Sequence, residues 1–130
     1  SQVKFQGYVS HGDVRQCYRQ ADFVIQAPFS EGFGKVPIEA FFHGVIPILS
    51  DVDMSDQIVG NGKRGRCFPQ NDPNAIASHL MGLLANPNLM VSIITQGRLY
   101  SSTMTLEAWQ LHIKEILNSF WKLDLQFIHK

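Results

Sequence analysis

An α/β fold, a Rossmann-like three-layer sandwich with a mainly parallel sheet, is the class that this sequence of 130 residues predicts. Three observations carry it. Strand and helix patterns alternate along the chain, which favours parallel strands joined by helical crossovers. A glycine-rich turn, Ser30-Glu31-Gly32-Phe33-Gly34, stands between a short apolar strand pattern and a helix pattern. Ligands of open α/β sheets bind outside the carboxyl ends of the strands, where such a turn falls. Finally, the length fits a single domain, residues 1–130, with room for a real core.

Taken in order, Val3 to Val9 alternates as a strand. Ser10, followed three residues later by Asp13, is a capping-box start. The helix behind it puts Val14, Cys17, Tyr18 and Ala21 on one face. Asp22 to Ala27 is a short apolar strand that ends in the glycine turn. The next helix runs from about Lys35 to His43. Pro37 suits its first turn, where a missing N–H costs no bond, and Gly44 stops it. Val45 to Leu49 is the following strand, in which Pro47 points to a bulge or a sheet edge. Ser55 to Val59 reads as one helical turn, Gly60-Asn61-Gly62 as a turn, and Gly65 to Phe68 as a short strand. Pro73 opens a helix with Ile76, Leu80, Leu83 and Leu84 at core spacing. A second, from about Pro87 to Tyr100, is expected to bury Leu89, Ile93, Ile94 and Gly97. The longest starts at Thr105-Leu106-Glu107-Ala108 and carries Leu106, Trp109, Ile113, Ile116, Leu117 and Phe120 in a stripe. Trp109 and Trp121 read as core or interdomain packing, and Lys122 to Lys130 as extended chain.

Composition narrows the function. Eleven basic and eleven acidic side chains give formal neutrality, which argues against the clustered positive field of a nucleic-acid surface. Cys17 and Cys67 sit in apolar contexts and read as reduced core residues of a cytosolic protein rather than a disulfide. No apolar run approaches the ~18 residues of a membrane span, and no signal peptide is visible. The five histidines are spaced too widely for a metal pair on one helix, so no metal site is expected.

The chemistry is concentrated between Ser30 and Ala40. Gly32 and Gly34 can take backbone angles closed to other residues and let a ligand approach the main chain. The first N–H groups of the following helix are unpaired and carry the positive end of its dipole, so they suit a phosphate. Lys35 is either a phosphate counter-charge or a surface residue. Glu39 lies about one turn inside the helix, where an ionised carboxylate accepts both hydroxyls of a cis diol. Its alternative is a solvated carboxylate paired with Lys35. Glu31, eight positions earlier, either contacts further hydroxyls or satisfies free N–H groups at the helix start. Phosphate donors flanked by two hydroxyl-binding carboxylates describe a site for a sugar nucleotide.

With its flanks, this segment resembles the C-terminal half of the GT-B glycosyltransferases of the retaining family 4 type. Glu31, Glu39 and Ala40 match that family's Glu-x7-Glu motif and the Ala after it. Val3 to Val9 resembles its strand and glycine turn beside the base, and Tyr18 to Val24 its helix-to-strand passage. His43 to Asp51 is similar to its next strand, and Asn71-Asp72-Pro73 to its next helix start. The resemblance implies transfer of a hexosyl group from a nucleotide-diphosphate sugar with retained configuration, without a cofactor. By it, Glu39 is the ribose ligand and Glu31 the catalytic-site carboxylate on the transferred sugar. Gly32, Phe33, Gly34 and Lys35 hold the donor phosphates and sugar. Gly7, Tyr8 and Val9 lie along the base, with an ordinary strand end as their alternative. It further implies that the chain is a fragment, inactive alone, whose partner is the missing N-terminal domain that binds the acceptor. The Arg/Lys pair that neutralises the diphosphate would precede Val3. The location implied is cytoplasmic, and peripheral to the inner membrane only through the full-length protein. The chain departs from the family at Asp53, Met54 and Gln57, in a loop that usually carries Gly-Gly and then Glu against the donor sugar. It departs again at Pro28 and Pro47. Two alternatives follow: a nucleotide-sugar-binding domain that has lost transfer, or a flavodoxin-like interaction module that binds no nucleotide.

Overall fold

The structure is a computed structural model that describes residues 2–32 and 34–121. Along the chain run α1 (His11–Gln20), β1 (Phe23–Gln26), α2 (Lys35–His43), β2 (Ile46–Ser50), α3 (Ser55–Val59), β3 (Arg66–Phe68), α4 (Pro73–Leu84), α5 (Pro87–Ser102) and α6 (Leu106–Trp121). The three strands form one parallel sheet in the order β1-β2-β3. Phe23 is opposite Ile46 in the first ladder and Ile48 opposite Arg66 in the second. The predicted α/β class with parallel strands is the one observed.

Every residue of β2 is buried, as a central parallel strand requires. Its alternating side chains feed two apolar clusters, one on each face. Leu49 joins Ile38 and Phe41 of α2 and Ile58 and Val59 of α3. Ile46 and Ile48 join Phe68, Leu83 of α4 and Ile93 of α5. α2 and α5 also meet each other, and here Gly97 is needed. A Cβ at Gly97 would stand 2.6 Å from Cδ1 of Phe41, so only a glycine lets the two helices approach this closely.

The local signals set the helix boundaries. Ser10 and Asp13 form the predicted capping box of α1. Asp72 and Asn86 cap α4 and α5 with side-chain bonds to Ala75 N and Leu89 N. α2 begins and ends where predicted, and Gly44 closes it with a left-handed φ of 74° and N–H bonds to the last-turn carbonyls.

Several expectations are corrected. Residues 3–9 form no strand: Phe5 and Tyr8 are 93% and 100% exposed. A strand is held by ladder bonds to a neighbour, and alternation alone supplies none; among the described residues β1 pairs only with β2. Pro47 is not at an edge but inside the central strand. Ile46 N bonds to Asp22 O on the β1 side, so the next residue faces β3, whose ladder starts only at Ile48. Pro47 therefore removes no bond. Both cysteines are free thiols, but neither is a buried core residue: Cys17 is exposed, because α1 buries none of its residues, and Cys67 is half-buried in β3. Burial, and then Asp56 and Asp51, pushes the Cys67 thiol up to about 11. On α4, Leu83 takes the core direction and Leu84, about 100° further round, is exposed. The α6 stripe forms, but none of its residues is buried, and Trp109 and Trp121 lie outside the core. The expected extension of Lys122 to Lys130 lies outside the described residues.

Candidate functional site

The chain leaving β1 passes over the carboxyl ends of the other two strands, and side chains from each of them hold it. Ser50, the buried last residue of β2, donates to the Pro28 carbonyl at 2.8 Å. Gln70, just past β3, donates from Nε2 to the Phe29 carbonyl at 3.2 Å. The Asp53 carboxylate accepts from Ser30 Oγ at 3.3 Å and from the Glu31 amide at 3.1 Å. A cleft of about 180 Å³ remains beside this crossing, between Phe29, Ser50, Gln70 and Pro73.

The turn then delivers the chain into α2. Gly34 is the N-cap residue and provides no side-chain bond, so the first-turn amides of Lys35 and Val36 have no side-chain cap. The two glycines serve in different ways. Neither takes a left-handed φ. At Gly32 a Cβ would meet nothing within 4 Å, so glycine there leaves the main chain uncovered. At Gly34 a Cβ would press on the Pro37 ring at 3.3 Å. Phe33 lies outside the described residues.

Glu31 is half-buried, and its Oε2 accepts from Gln26 Nε2 at 3.2 Å. Gln26 is the last residue of β1, so the sheet itself orients this carboxylate. Glu39 is exposed, one turn into α2. The Tyr18 hydroxyl lies 3.4 Å from both Glu39 Oε2 and the Val36 carbonyl and shares its one proton between them. Tyr18 also stacks on His43, with ring centroids 5.3 Å apart and planes 5° from parallel. Burial, followed by the charge and hydrogen bond of Glu39, pushes the Tyr18 phenol up to about 12. Its proton is thus held firmly as a donor toward Glu39.

Glu39 opens onto two cavities. One, of about 790 Å³, separates α2 from the start of α6 and includes Lys35, Phe42, Trp109 and His112. The other, of about 290 Å³, lies between α1 and α2 and includes His11, Arg15, Tyr18 and His43. The arrangement offers an anion the free amides of a helix start and offers hydroxyls two carboxylates. Among the described residues no three of His, Cys, Asp or Glu converge so as to ligate a metal ion. No single helix among them is long and apolar enough to cross a membrane.

Of the predicted site residues, the structure gathers Glu31, Gly32, Gly34, Lys35 and Glu39 around the turn and α2. It does not bring Gly7, Tyr8 and Val9 to them. Gly7 adopts a φ of 64°, Tyr8 points into solvent, and none of the three lines a cavity with Glu39. The reason is the missing strand: among the described residues no sheet ladder includes residues 3–9. Tyr18 and Gln26 were missed. Gln26 carried a readable signal, a polar residue closing an apolar strand at its carboxyl end. Tyr18 carried none, since it reaches Glu39 only through the packing of α1 on α2.

The family model described as "Glycosyl transferases group 1" matches residues 1–100. The phosphatidyl-myo-inositol mannosyltransferase of Mycolicibacterium smegmatis is 30% identical over 97 residues, 73% of this chain and 25% of that protein. The O-antigen chain mannosyltransferase B of Escherichia coli is 27% identical over 117 residues, 84% of this chain and 30% of that protein. Among solved structures, sucrose-phosphate synthase from Thermosynechococcus elongatus superposes with a TM-score of 0.78 at 26% identity, covering 92% of this chain and 30% of that one. HepE from Anabaena, in complex with UDP-glucose, superposes with a TM-score of 0.78 at 21% identity, covering 91% and 32%. The fold is thus that of GT-B glycosyltransferase structures. The chain spans about a quarter to a third of the length of these relatives.

Proposed function

The chain belongs to the glycosyl transferases group 1 family, and we propose that its part there is to hold a nucleotide-diphosphate sugar for transfer of the hexosyl group. One observation carries this reading: a helix start without a side-chain cap, at the carboxyl end of β1, with an exposed carboxylate one turn further in. The diphosphate rests on the amides of the Gly34–Val36 stretch, beside Lys35. Glu39, steadied by Tyr18, takes the two ribose hydroxyls. Glu31, steadied by Gln26, takes hydroxyls of the transferred sugar.

The reaction follows from this placement. As the bond from sugar to phosphate breaks, negative charge grows on the diphosphate. Amides already aimed at that charge stabilise it without reorganising, and losing one comparable donor elsewhere costs on the order of 10²–10³ in rate. The relatives named as mannosyltransferases and the neighbour that holds UDP-glucose support a hexose donor. Retention of configuration, the C-terminal place of this domain, an acceptor bound by a further domain and the absence of a cofactor belong to the same reading. So does a cytoplasmic location, with membrane association only through the whole protein.

The test is calorimetric titration of the chain with UDP, GDP, UDP-glucose and GDP-mannose. One of the two nucleotide series binds, and Glu39→Ala abolishes that binding without lowering the thermal midpoint. Undiminished binding in the variant removes Glu39 from the site. No binding of any nucleotide to the unaltered chain favours the interaction module instead.

A further inference from the structure

We propose that Asp53 is a positioning residue for donor-sugar recognition: it fixes the Ser30–Glu31 turn so that the Glu31 carboxylate meets the hydroxyls of the transferred sugar. The proposal rests on the donor-binding reading above.

Three side chains hold the crossing segment, and they divide the work. Ser50 reaches only Pro28 and Gln70 only Phe29. Asp53 alone takes the next two residues, and one oxygen, Oδ2, accepts from both the Ser30 hydroxyl and the Glu31 amide. Ser30 and Gly32, on either side of Glu31, are exposed, so packing does not hold this part of the turn. Glu31 thus has two handles: Gln26 on its carboxylate and Asp53 on its amide. Asp53 itself adopts a φ of 42°, in the left-handed region that non-glycine residues seldom enter. That conformation is local to the loop between β2 and α3, and its two hydrogen bonds across to the β1 loop help to hold it there. Bonds to a charged acceptor are the stronger class, which suits a tie between two exposed loops. Asp53 acts through Glu31 and need not touch the donor.

The experiment measures, in the whole protein, the dissociation constants of UDP, UDP-glucose, GDP and GDP-mannose. The readout is the preference for the sugar conjugate over its bare nucleoside diphosphate. Asp53→Ala lowers that preference by roughly tenfold, the size of a lost charged hydrogen bond, while the bare diphosphate binds as before. Asp53→Asn retains an oxygen acceptor for Ser30 and Glu31 and keeps most of the preference. The proposal is overturned by no preference in the unaltered protein, by a preference unchanged in Asp53→Ala, or by Asp53→Asn falling as far as Asp53→Ala. A parallel loss of diphosphate and conjugate affinity also overturns it, because that would report collapse of the turn. If nucleotides do not bind the unaltered protein at all, the donor-binding reading fails, and this one fails with it.

Discussion

Two helices that the sequence places equally well meet opposite fates. α2 buries Pro37, Ile38, Ala40 and Phe41 against β2, α3 and α5. α6 is longer, yet it buries none of its residues, and Leu106, Trp109, Phe120 and Trp121 are all more than half exposed. The stripe says which face of a helix is apolar; it does not say whether anything covers that face. α2 follows a strand that enters the sheet beside it, so its crossover places it on the core. α6 follows α5, another helix, and among the described residues no strand follows it. The site sits at the boundary of this contrast, since the cavity of about 790 Å³ lies between α2 and the first turn of α6.

The sharpest way to break the comparison is to remove the same ring from each helix. Phe41→Ala, at 2% exposure, should cost about 3–5 kcal/mol of stability. Phe120→Ala, at 79% exposure, should stay within about 0.5 kcal/mol. Chemical denaturation of both variants checks this, and equal losses would mean that α6 is packed in solution. A smaller effect is expected at the contact between α2 and α5. Gly97→Ala forces a Cβ into the Phe41 ring and should cost about 1–3 kcal/mol, read as a lowered thermal midpoint. A midpoint that does not move would show that the two helices sit further apart. The smallest effect concerns Tyr18, which ties α1 to α2. Its phenol is raised from 10.0 to about 12, so it stays neutral in both folded and unfolded chain below pH 10 and adds no pH dependence there. Between these two values the unfolded chain ionises first, and stability falls as pH rises. Tyr18→Phe should abolish that fall, and Glu39→Gln should bring the phenolate absorbance titration to lower pH.

How much of the site was legible follows the same division. Glu31, the glycine turn and Glu39 were readable because they lie within one contiguous segment, where helix geometry fixes their spacing. The uncapped amides of α2 follow from a glycine at the N-cap position. Neither glycine uses the left-handed backbone open to it, and what Gly32 offers is an uncovered main chain. Tyr18 and the clasp of Asp53 join residues that are respectively 21 and 22 positions from their partners. Such pairs exist only after the sheet is assembled. Asp53 was visible as a departure in composition, but its role as an acceptor for the Glu31 amide was not.

By itself the amino-acid order decided the elements and their ends. Ser10 and Asp13, Asp72, Asn86 and Gly44 act within a few residues of themselves, through hydrogen bonds that a local chain can make or refuse. It also decided that a glycine N-cap without a side-chain bond and two carboxylates would share one turn and one helix. Only the tertiary structure decided what those elements would meet. Residues 3–9 alternate like a strand yet lack a ladder, Pro47 sits harmlessly in the middle of the sheet, and the α6 stripe faces outward. Each of these depends on a neighbour distant in the chain, and periodicity carries no information about where that neighbour will be.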